Sequence, residues 1–204
     1  RILHHPDIRQ FTTVWMDSLR GGESMLVNTN KLIRFYDGAT GLKTGSTGSA
    51  GYCLSATAEK NGMELIAVVL KGKTSDERFS DAKSLLNYGF STWSLVTVTP
   101  DEVLPPVPVT LGVRGTVQPV LTSENTLLVE KALANGLTKE VALAESVAAP
   151  VYAGDALGQL TVRDAAGNTV AELPILAGED VGHVTFVQML GRCLARGFCM
   201  GPQS

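Results

Sequence analysis

The stretch from Asp37 to Tyr52 holds the residues best suited to chemistry: one lysine, several hydroxyls and five glycines in sixteen positions. At its centre is Lys43-Thr44-Gly45, directly ahead of a predicted β-hairpin. On a strand, a lysine supplies positive charge, a threonine hydroxyl can bind a carboxylate, and a glycine leaves the backbone open to a ligand. The pattern indicates a ligand-binding strand, and a Gly/Ser/Thr-rich turn between strands is the structural alternative.

A phosphate-binding loop is another ligand site to which a Lys-Thr pair could belong. Such a loop places a glycine directly before Lys-Thr and a strand before its glycines. In this chain Leu42 stands before Lys43, and the strand pattern follows the lysine instead of preceding the glycines. The order of the residues therefore argues against a phosphate loop.

The bulk composition excludes several classes of protein. A chain of 204 residues can hold one ordinary domain or two small ones, and its 44% apolar and 18% charged residues are typical of a globular protein. A net charge of −3 gives no reason to expect nucleic acid as a partner, and no unbroken apolar run reaches the length of a membrane span. Three cysteines outside any Cys-x-x-Cys and three histidines without ligand spacing predict no metal, and we expect no cofactor.

Two strands and a helix that follow the lysine form the scaffold that must position it. Residues 52–58 and 63–70 are predicted strands joined through Asn61-Gly62, a strong hairpin signal. The unbroken apolar run at 65–70 predicts a central strand that is covered on both faces. A capping box at 74–77 begins a predicted helix, and Gly89 is expected to end it.

The remaining elements predict an α+β fold with an antiparallel sheet, followed by a second domain. Residues 6–20 are a predicted helix, because apolar residues recur there at helical spacing before Gly21-Gly22. From residue 94 to residue 182, prolines and short β-type runs predict a small β-sandwich with a hairpin turn at 164–168. Residues 183–200 form an amphipathic pattern, which suits either a helix packed on its own domain or one lying in a bilayer interface.

An ordered set of short motifs also runs along the chain. It comprises Asn28-x-Asn30-x-Leu32, Asp37-Gly38, Leu42-Lys43-Thr44-Gly45, Ala50-Gly51-Tyr52, the apolar strand 65–70, Arg78, Leu85-Leu86-x-Tyr88-Gly89-Phe90, Ala149-Pro150-Val151 and Gly154-Asp155. The set resembles the low-molecular-mass penicillin-binding proteins, which are serine-type D-alanyl-D-alanine carboxypeptidases. The resemblance implies the C-terminal part of a penicillin-binding-protein/β-lactamase-like catalytic domain at 1–93, an accessory β-sandwich domain at 94–182 and an amphipathic tail at 183–204.

The resemblance also implies a mechanism and a role for each site residue. In the family, a serine of a Ser-x-x-Lys motif attacks the D-Ala-D-Ala bond, a Ser-x-Asn motif assists, and water hydrolyses the acyl-enzyme. Carried over, Lys43 is catalytic and supplies charge, Thr44 binds the substrate carboxylate, and Gly45 lets the peptide lie against the strand. The backbone N–H of Ser46 is implied as an oxyanion-hole donor, and Arg78 as a second carboxylate-binding group; a solvated charge is the structural alternative for Arg78.

The chain departs from the family pattern ahead of Lys43, where neither Ser-x-x-Lys nor Ser-x-Asn occurs. The letters of these motifs do occur at 80–83 and 123–125, but both follow the Lys-Thr-Gly and are interpreted as coincidences. Ser46 also replaces the larger residue that many members carry. We therefore expect a C-terminal part of the enzyme that is inactive alone, and whose residues 1–90 self-associate or pack against the missing half.

The resemblance predicts the partners and the location. They are the D-Ala-D-Ala stem peptide of peptidoglycan, β-lactams as inhibitors, and a membrane surface contacted through 183–200, at the outer face of the bacterial cytoplasmic membrane. The alternative from another functional class is a non-catalytic module that binds peptidoglycan peptides or acts as a scaffold. A β-lactamase relative is a third interpretation, against which the accessory domain and the tail argue.

Overall fold

The structure is a computed structural model that describes residues 2–191, and the chain divides into two compact units. The first unit holds the chain up to Leu95 together with Leu128–Ala134. The second holds Val96–Leu127 and the chain from Asn135 onward. Both units consist of mostly antiparallel sheets with few helices, which confirms the predicted α+β class. The assignment of 1–93 to a catalytic part and 94–182 to an accessory domain stays a prediction.

The first unit is built on a three-stranded antiparallel sheet. After a short helix and a hairpin, the chain forms a second short helix, three long strands and a long helix. These elements are α1 (Arg9–Thr12), β1 (Met16–Leu19), β2 (Ser24–Val27), α2 (Leu32–Phe35), β3 (Ala39–Thr47), β4 (Gly51–Lys60), β5 (Met63–Gly72) and α3 (Ser75–Thr92). The sheet order is β3-β4-β5, so β3 is an edge strand among the described residues.

The hairpin between β4 and β5 confirms the prediction from Asn61-Gly62. Both residues have positive φ, 52° and 77°, which is the geometry that a tight two-residue hairpin turn requires. The core lies between this hairpin and α3, because one face of α3 buries Phe79, Ala82 and Leu86 against the sheet. The sheet contributes Leu54, Ala56, Ala67 and Val69 to the same cluster.

The start of α3 is confirmed and its predicted end is wrong. The Thr74 hydroxyl accepts the N–H of Glu77, and the Glu77 carboxylate accepts the N–H of Lys73. The helix nevertheless continues through Gly89 to Thr92. A Cβ at position 89 would lie 2.5 Å from Leu65 Cδ1, so this glycine permits close helix–sheet packing instead of ending the helix.

The predicted helix at 6–20 is wrong beyond Thr12. The chain makes α1 and then the β1–β2 hairpin, in which Met16 pairs with Val27 and Leu19 with Ser24. Gly21 and Gly22 have φ of 69° and 104° and form the turn between the two strands. The β2 strand supplies backbone hydrogen bonds that a helix would have made locally, so the helical spacing of the apolar residues did not decide the structure.

The prediction of a central, doubly covered strand at 65–70 is also wrong. β4 is the central strand, and β5 lies at the other edge of the described sheet. Residues Ile66, Val68 and Leu70 are 60%, 57% and 71% exposed. α3 covers one face of β5, and within residues 2–191 the opposite face remains an exposed apolar stripe.

The second unit is mainly a pair of small sheets. Its elements, with those at the division between the units, are β6 (Trp93–Thr97), β7 (Val107–Thr110), β8 (Thr116–Val117), β9 (Pro119–Leu121), β10 (Thr126–Glu130), α4 (Lys131–Ala134), β11 (Thr138–Leu143), β12 (Val147–Ala148), β13 (Ala156–Arg163) and β14 (Thr169–Ala177). One sheet has the order β11-β13-β14-β9 and the other β12-β7-β8. Both sheets contribute to one core, through Val107, Val117, Leu157 and Ala177. The sequence patterns missed β6, β11 and β12.

The predicted turn at 164–168 is confirmed as the connection between β13 and β14. The Asp164 carboxylate accepts the backbone N–H groups of Ala166 and Asn168 and the side-chain amide of Asn168. Hydrogen bonds, that from the Asn168 side chain foremost, hold the pKa of Asp164 below its usual value. A single side chain therefore closes this turn.

The amphipathic tail is described only in part. Residues 186–191 are helical, and Thr185 and Gln188 cap their start reciprocally, since each backbone N–H is bound by the other side chain. The rest of the predicted tail, 192–204, lies outside the described residues. Within the described part, no helix has the length and apolar character needed to cross a bilayer.

Candidate functional site

Strand β3 carries the predicted site residues Lys43, Thr44, Gly45 and Ser46 in succession on an edge of the sheet. Its inner edge pairs with β4, so that Thr44 lies opposite Leu54 and Gly45 opposite Cys53. An edge strand leaves alternate N–H and C=O groups without a neighbouring strand. Another peptide could therefore pair with β3 along its outer edge.

The Lys43 side chain is exposed, and its ammonium group donates to the carbonyl oxygen of Thr44. The charge is thus held beside the strand and remains open to solvent. A lysine in this position adds positive potential beside an edge strand of the described sheet, and can attract an anionic ligand.

Thr44 is 8% exposed, and its hydroxyl oxygen lies 2.6 Å from the hydroxyl oxygen of Thr29. Thr29 belongs to the Asn28-Thr29-Asn30 segment that leads into α2. The buried Asn30 donates from Nδ2 to the carbonyl of Gly41 on β3 and accepts the N–H of Leu32. Sequence reasoning noted this Asn-x-Asn spacing but gave its middle residue no role.

Gly45 leaves open space above the strand. A Cβ built at this position meets no atom within 4 Å, and the φ of Gly45 is not in the left-handed region. The glycine is therefore not required by the backbone or by packing among the described residues. The neighbouring Ser46 is exposed.

Arg78 reaches the same strand from α3. Its Nη1 donates to the carbonyl oxygens of Gly45 and Cys53, each at 3.3 Å, and its Nη2 donates to the Ser75 hydroxyl. The guanidinium carbon lies 4.8 Å from the ring centroid of Phe79 and 5.4 Å from that of Tyr52.

The Arg78 residue is only 7% exposed, and within residues 2–191 its Nε is a buried nitrogen without a hydrogen-bond partner. The side chain therefore ties β3 and β4 to the helix through backbone carbonyls. Direct contact between Arg78 and a substrate stays a prediction.

The residues that match the letters of Ser-x-x-Lys and Ser-x-Asn, at 80–83 and 123–125, do not lie on β3. Ser80 and Lys83 are exposed on α3 and line a surface cavity of about 280 Å³ together with Lys31 and Phe35. Residues 123–125 lie between β9 and β10 in the second unit. In the part of the chain that the structure describes, no cluster of histidine, cysteine or carboxylate residues could hold a metal ion.

The chain was compared with protein families and known relatives. Residues 1–74 match the D-alanyl-D-alanine carboxypeptidase family, and residues 96–183 match the family of the C-terminal domain of penicillin-binding protein 5. The D-alanyl-D-alanine carboxypeptidase DacF of Bacillus subtilis is 33% identical over 198 residues, which are 95% of this chain and 51% of DacF. DacC of Escherichia coli is 30% identical over 143 residues, which are 69% of this chain and 36% of DacC.

Solved structures show the same fold. Penicillin-binding protein 5 from Haemophilus influenzae superposes with a TM-score of 0.71 at 23% identity, over 89% of this chain and 53% of that protein. Penicillin-binding protein 6B from Escherichia coli superposes with a TM-score of 0.59 at 22% identity, over 85% of this chain and 45% of that protein.

The chain spans about half the length of the relative DacF and about a third of DacC. Two family matches follow one another along it, and one carboxypeptidase aligns with nearly all of it. The chain therefore belongs to the low-molecular-mass penicillin-binding proteins of the D-alanyl-D-alanine carboxypeptidase family.

Proposed function

We propose that this chain is the Lys-Thr-Gly-bearing part of a carboxypeptidase that removes the terminal D-Ala from peptidoglycan pentapeptide stems. One observation carries the proposal: Lys43, Thr44 and Gly45 lie on a strand that forms an edge of the sheet among the described residues, and the glycine has open space above it. A peptide that pairs with this edge would have its carboxylate end near a cation and a hydroxyl. β-Lactams, which present a carboxylate and a reactive carbonyl, would bind there as inhibitors.

Each site residue has a distinct task in this proposal. The Lys43 ammonium provides positive charge for substrate binding and supports proton transfer, and the Thr44 hydroxyl donates to the terminal carboxylate. Gly45 leaves room for the acyl peptide beside the strand. The backbone N–H of Ser46 donates to the oxyanion that forms during attack on the carbonyl carbon.

Arg78 is assigned to the carboxylate end of the substrate site. Its guanidinium group lies behind the Gly45 carbonyl, so its charge adds to the positive potential of the strand without needing to leave its buried position. The same hydrogen bonds keep the strand at a fixed distance from α3.

The nucleophilic serine and its lysine come from a segment outside these 204 residues. The serine oxygen bonds to the penultimate D-Ala carbonyl carbon, D-Ala leaves with a proton, and water then cleaves the ester to regenerate the serine. The chain alone lacks this group and is expected to be inactive.

Two exposed apolar surfaces support the proposal that a further segment covers the first unit. One is the outer stripe of β5, formed by Ile66, Val68 and Leu70. The other is the β1–β2 hairpin, where Met16, Leu19, Met25, Leu26 and Val27 are each about half exposed. Apolar surface of this extent is normally covered by a partner or by the rest of a domain.

The start of the tail supports attachment to a membrane surface, and with it a place in the cell envelope. Phe186 and Val187 are 74% and 77% exposed in the first turn of the capped helix. Exposed apolar residues on an amphipathic helix can insert into the boundary between lipid headgroups and acyl chains. A chain ending at Val181 should float less well with anionic vesicles than the full chain. Equal flotation of the two would contradict the anchoring role.

Release of D-Ala from a pentapeptide stem by the longer protein tests the enzymatic proposal. Lys43→Met should lower kcat/KM at least about 100-fold, since it removes a charge that supports both binding and proton transfer. Lys83→Met removes an exposed lysine from α3 and is the matched control, with activity expected to be unchanged. If the wild-type protein binds the stem peptide but releases no D-Ala, the chain belongs to a binding module instead of an enzyme.

A further inference from the structure

The hydroxyl pair formed by Thr29 and Thr44 links the proposed carboxylate-binding group to a loop that precedes β3. The two oxygens lie 2.6 Å apart, which is a short distance for a hydrogen bond between neutral hydroxyls. Thr44 is buried, whereas Thr29 is exposed. The pair therefore joins a buried residue of the strand to an exposed residue of the loop.

The flanking asparagines fix Thr29 in this position. Asn28 donates from Nδ2 to the carbonyl of Val14 at 2.9 Å, and its Oδ1 accepts the backbone N–H of Asn30 at 2.9 Å. Asn30, which is 2% exposed, donates to Gly41 on β3. These bonds tie both sides of Thr29 to neighbouring backbone, so the hydroxyl is held opposite Thr44 by the fold.

We propose that Thr29 is a positioning residue that orients the Thr44 hydroxyl for its ligand. Each hydroxyl carries one proton, and one of these two protons forms the hydrogen bond between Thr29 and Thr44. When Thr29 donates to Thr44, the Thr44 proton is free to be donated to a carboxylate. A hydroxyl that accepts one hydrogen bond is also a better donor in the next, because the chain of bonds polarises.

This inference rests on the proposed function, since it assigns Thr29 to the same carboxylate-binding group. The test is the second-order rate constant for acylation of the longer protein by a penicillin. Thr29→Val keeps the shape of the side chain and removes the hydroxyl, and should lower this constant about three- to tenfold. Thr29→Ser restores the hydroxyl and should recover most of the loss.

A double-mutant cycle separates positioning from a general structural effect. In a Thr44→Val background, Thr29→Val should lower the rate constant less than about twofold, because the group it orients is already gone. Thr13→Val is the matched control, since the exposed Thr13 hydroxyl donates only to the carbonyl of Arg9 among the contacts described. Independent, multiplicative effects of the two substitutions, or a Thr29→Val protein that reacts like wild type, would overturn the inference.

A measurement without catalysis distinguishes this inference from the proposed function. The χ1 rotamer of Thr44, measured by NMR couplings in the longer protein, should be single in wild type and in Thr13→Val but averaged in Thr29→Val. An unchanged single rotamer in Thr29→Val would refute the positioning role. If wild type is not acylated but the rotamer responds as expected, the proposed function fails while the orienting contact stands.

Discussion

We expect Gly45 to be needed for ligand binding and not for folding, and substitution with alanine tests this expectation. Within residues 2–191 a Cβ at position 45 meets no atom within 4 Å, so Gly45→Ala should not harm the fold of the first unit. It should instead stabilise the first unit by about 0.5 kcal/mol, because alanine restricts the unfolded chain more than glycine does.

The same methyl group fills the space that the proposed ligand needs. A peptide paired with β3 would be pushed from the strand and would lose one or two hydrogen bonds, worth about 1.5–3 kcal/mol together. Acylation by a penicillin should therefore slow about 10- to 100-fold in the longer protein. The assays are urea-induced unfolding for stability and stopped-flow acylation for the site.

Two other glycines provide matched controls. Gly48 also has open space around a built Cβ but lies in the turn after β3, so Gly48→Ala should stabilise the first unit to a similar extent and leave acylation unchanged. At Gly158 a Cβ would lie 2.2 Å from the carbonyl oxygen of Ala142 on the paired strand, and Gly158→Ala should cost about 2–3 kcal/mol. A Gly45→Ala protein that is acylated like wild type would refute the assignment of this space to the ligand.

Three further substitutions or titrations probe the scaffold. Asn30→Ala should destabilise the first unit by about 2–4 kcal/mol in urea unfolding, because it leaves Gly41 O and Leu32 N without their buried partner; the exposed Asn135→Ala should stay within about 0.5 kcal/mol. Burial, with the charge of Asp37, raises the pKa of Tyr36, so the folded state keeps this proton at a pH at which the unfolded chain has lost it, and stability should fall as pH rises above about 10. Absorbance titration should show a late-titrating tyrosine signal that Tyr36→Phe removes. Arg78→Met should destabilise the first unit by about 2 kcal/mol through loss of charged hydrogen bonds to the carbonyls of Gly45 and Cys53. An unchanged free energy of unfolding would contradict the role of Arg78 in tying β3 and β4 to α3.

The features that the sequence predicts well are those that local chemistry decides. Asn61-Gly62 dictates its turn because both residues adopt positive φ, and Thr74 dictates a helix start because its hydroxyl caps an N–H three residues ahead. Asp164 likewise closes its own turn with its own carboxylate.

The features that the sequence does not predict depend on what lies across from them in space. The apolar spacing at residues 6–20 fits a helix, but pairing with β2 decides the structure of its second half. An apolar run such as 65–70 does not reveal whether its strand is central or at an edge, because that depends on the number of strands beside it.

The contacts within the site likewise depend on parts of the chain that are distant in sequence. The pattern identifies Lys43 and Thr44, but the contact of Thr29 with Thr44 arises from the path of a loop that Asn28 and Asn30 hold in place. Arg78 is recognisable as a candidate cation, but its burial against two backbone carbonyls depends on how α3 packs on the sheet.

The intact mass of the chain after incubation with a penicillin tests the central claim most directly. We expect no adduct on these 204 residues, and an adduct of one opened penicillin on the longer protein that carries the upstream segment. An adduct on the 204-residue chain itself would contradict the account, because it would place a nucleophile such as Ser80 within these residues. A longer protein that also stays unlabelled would contradict the proposed acyl-enzyme.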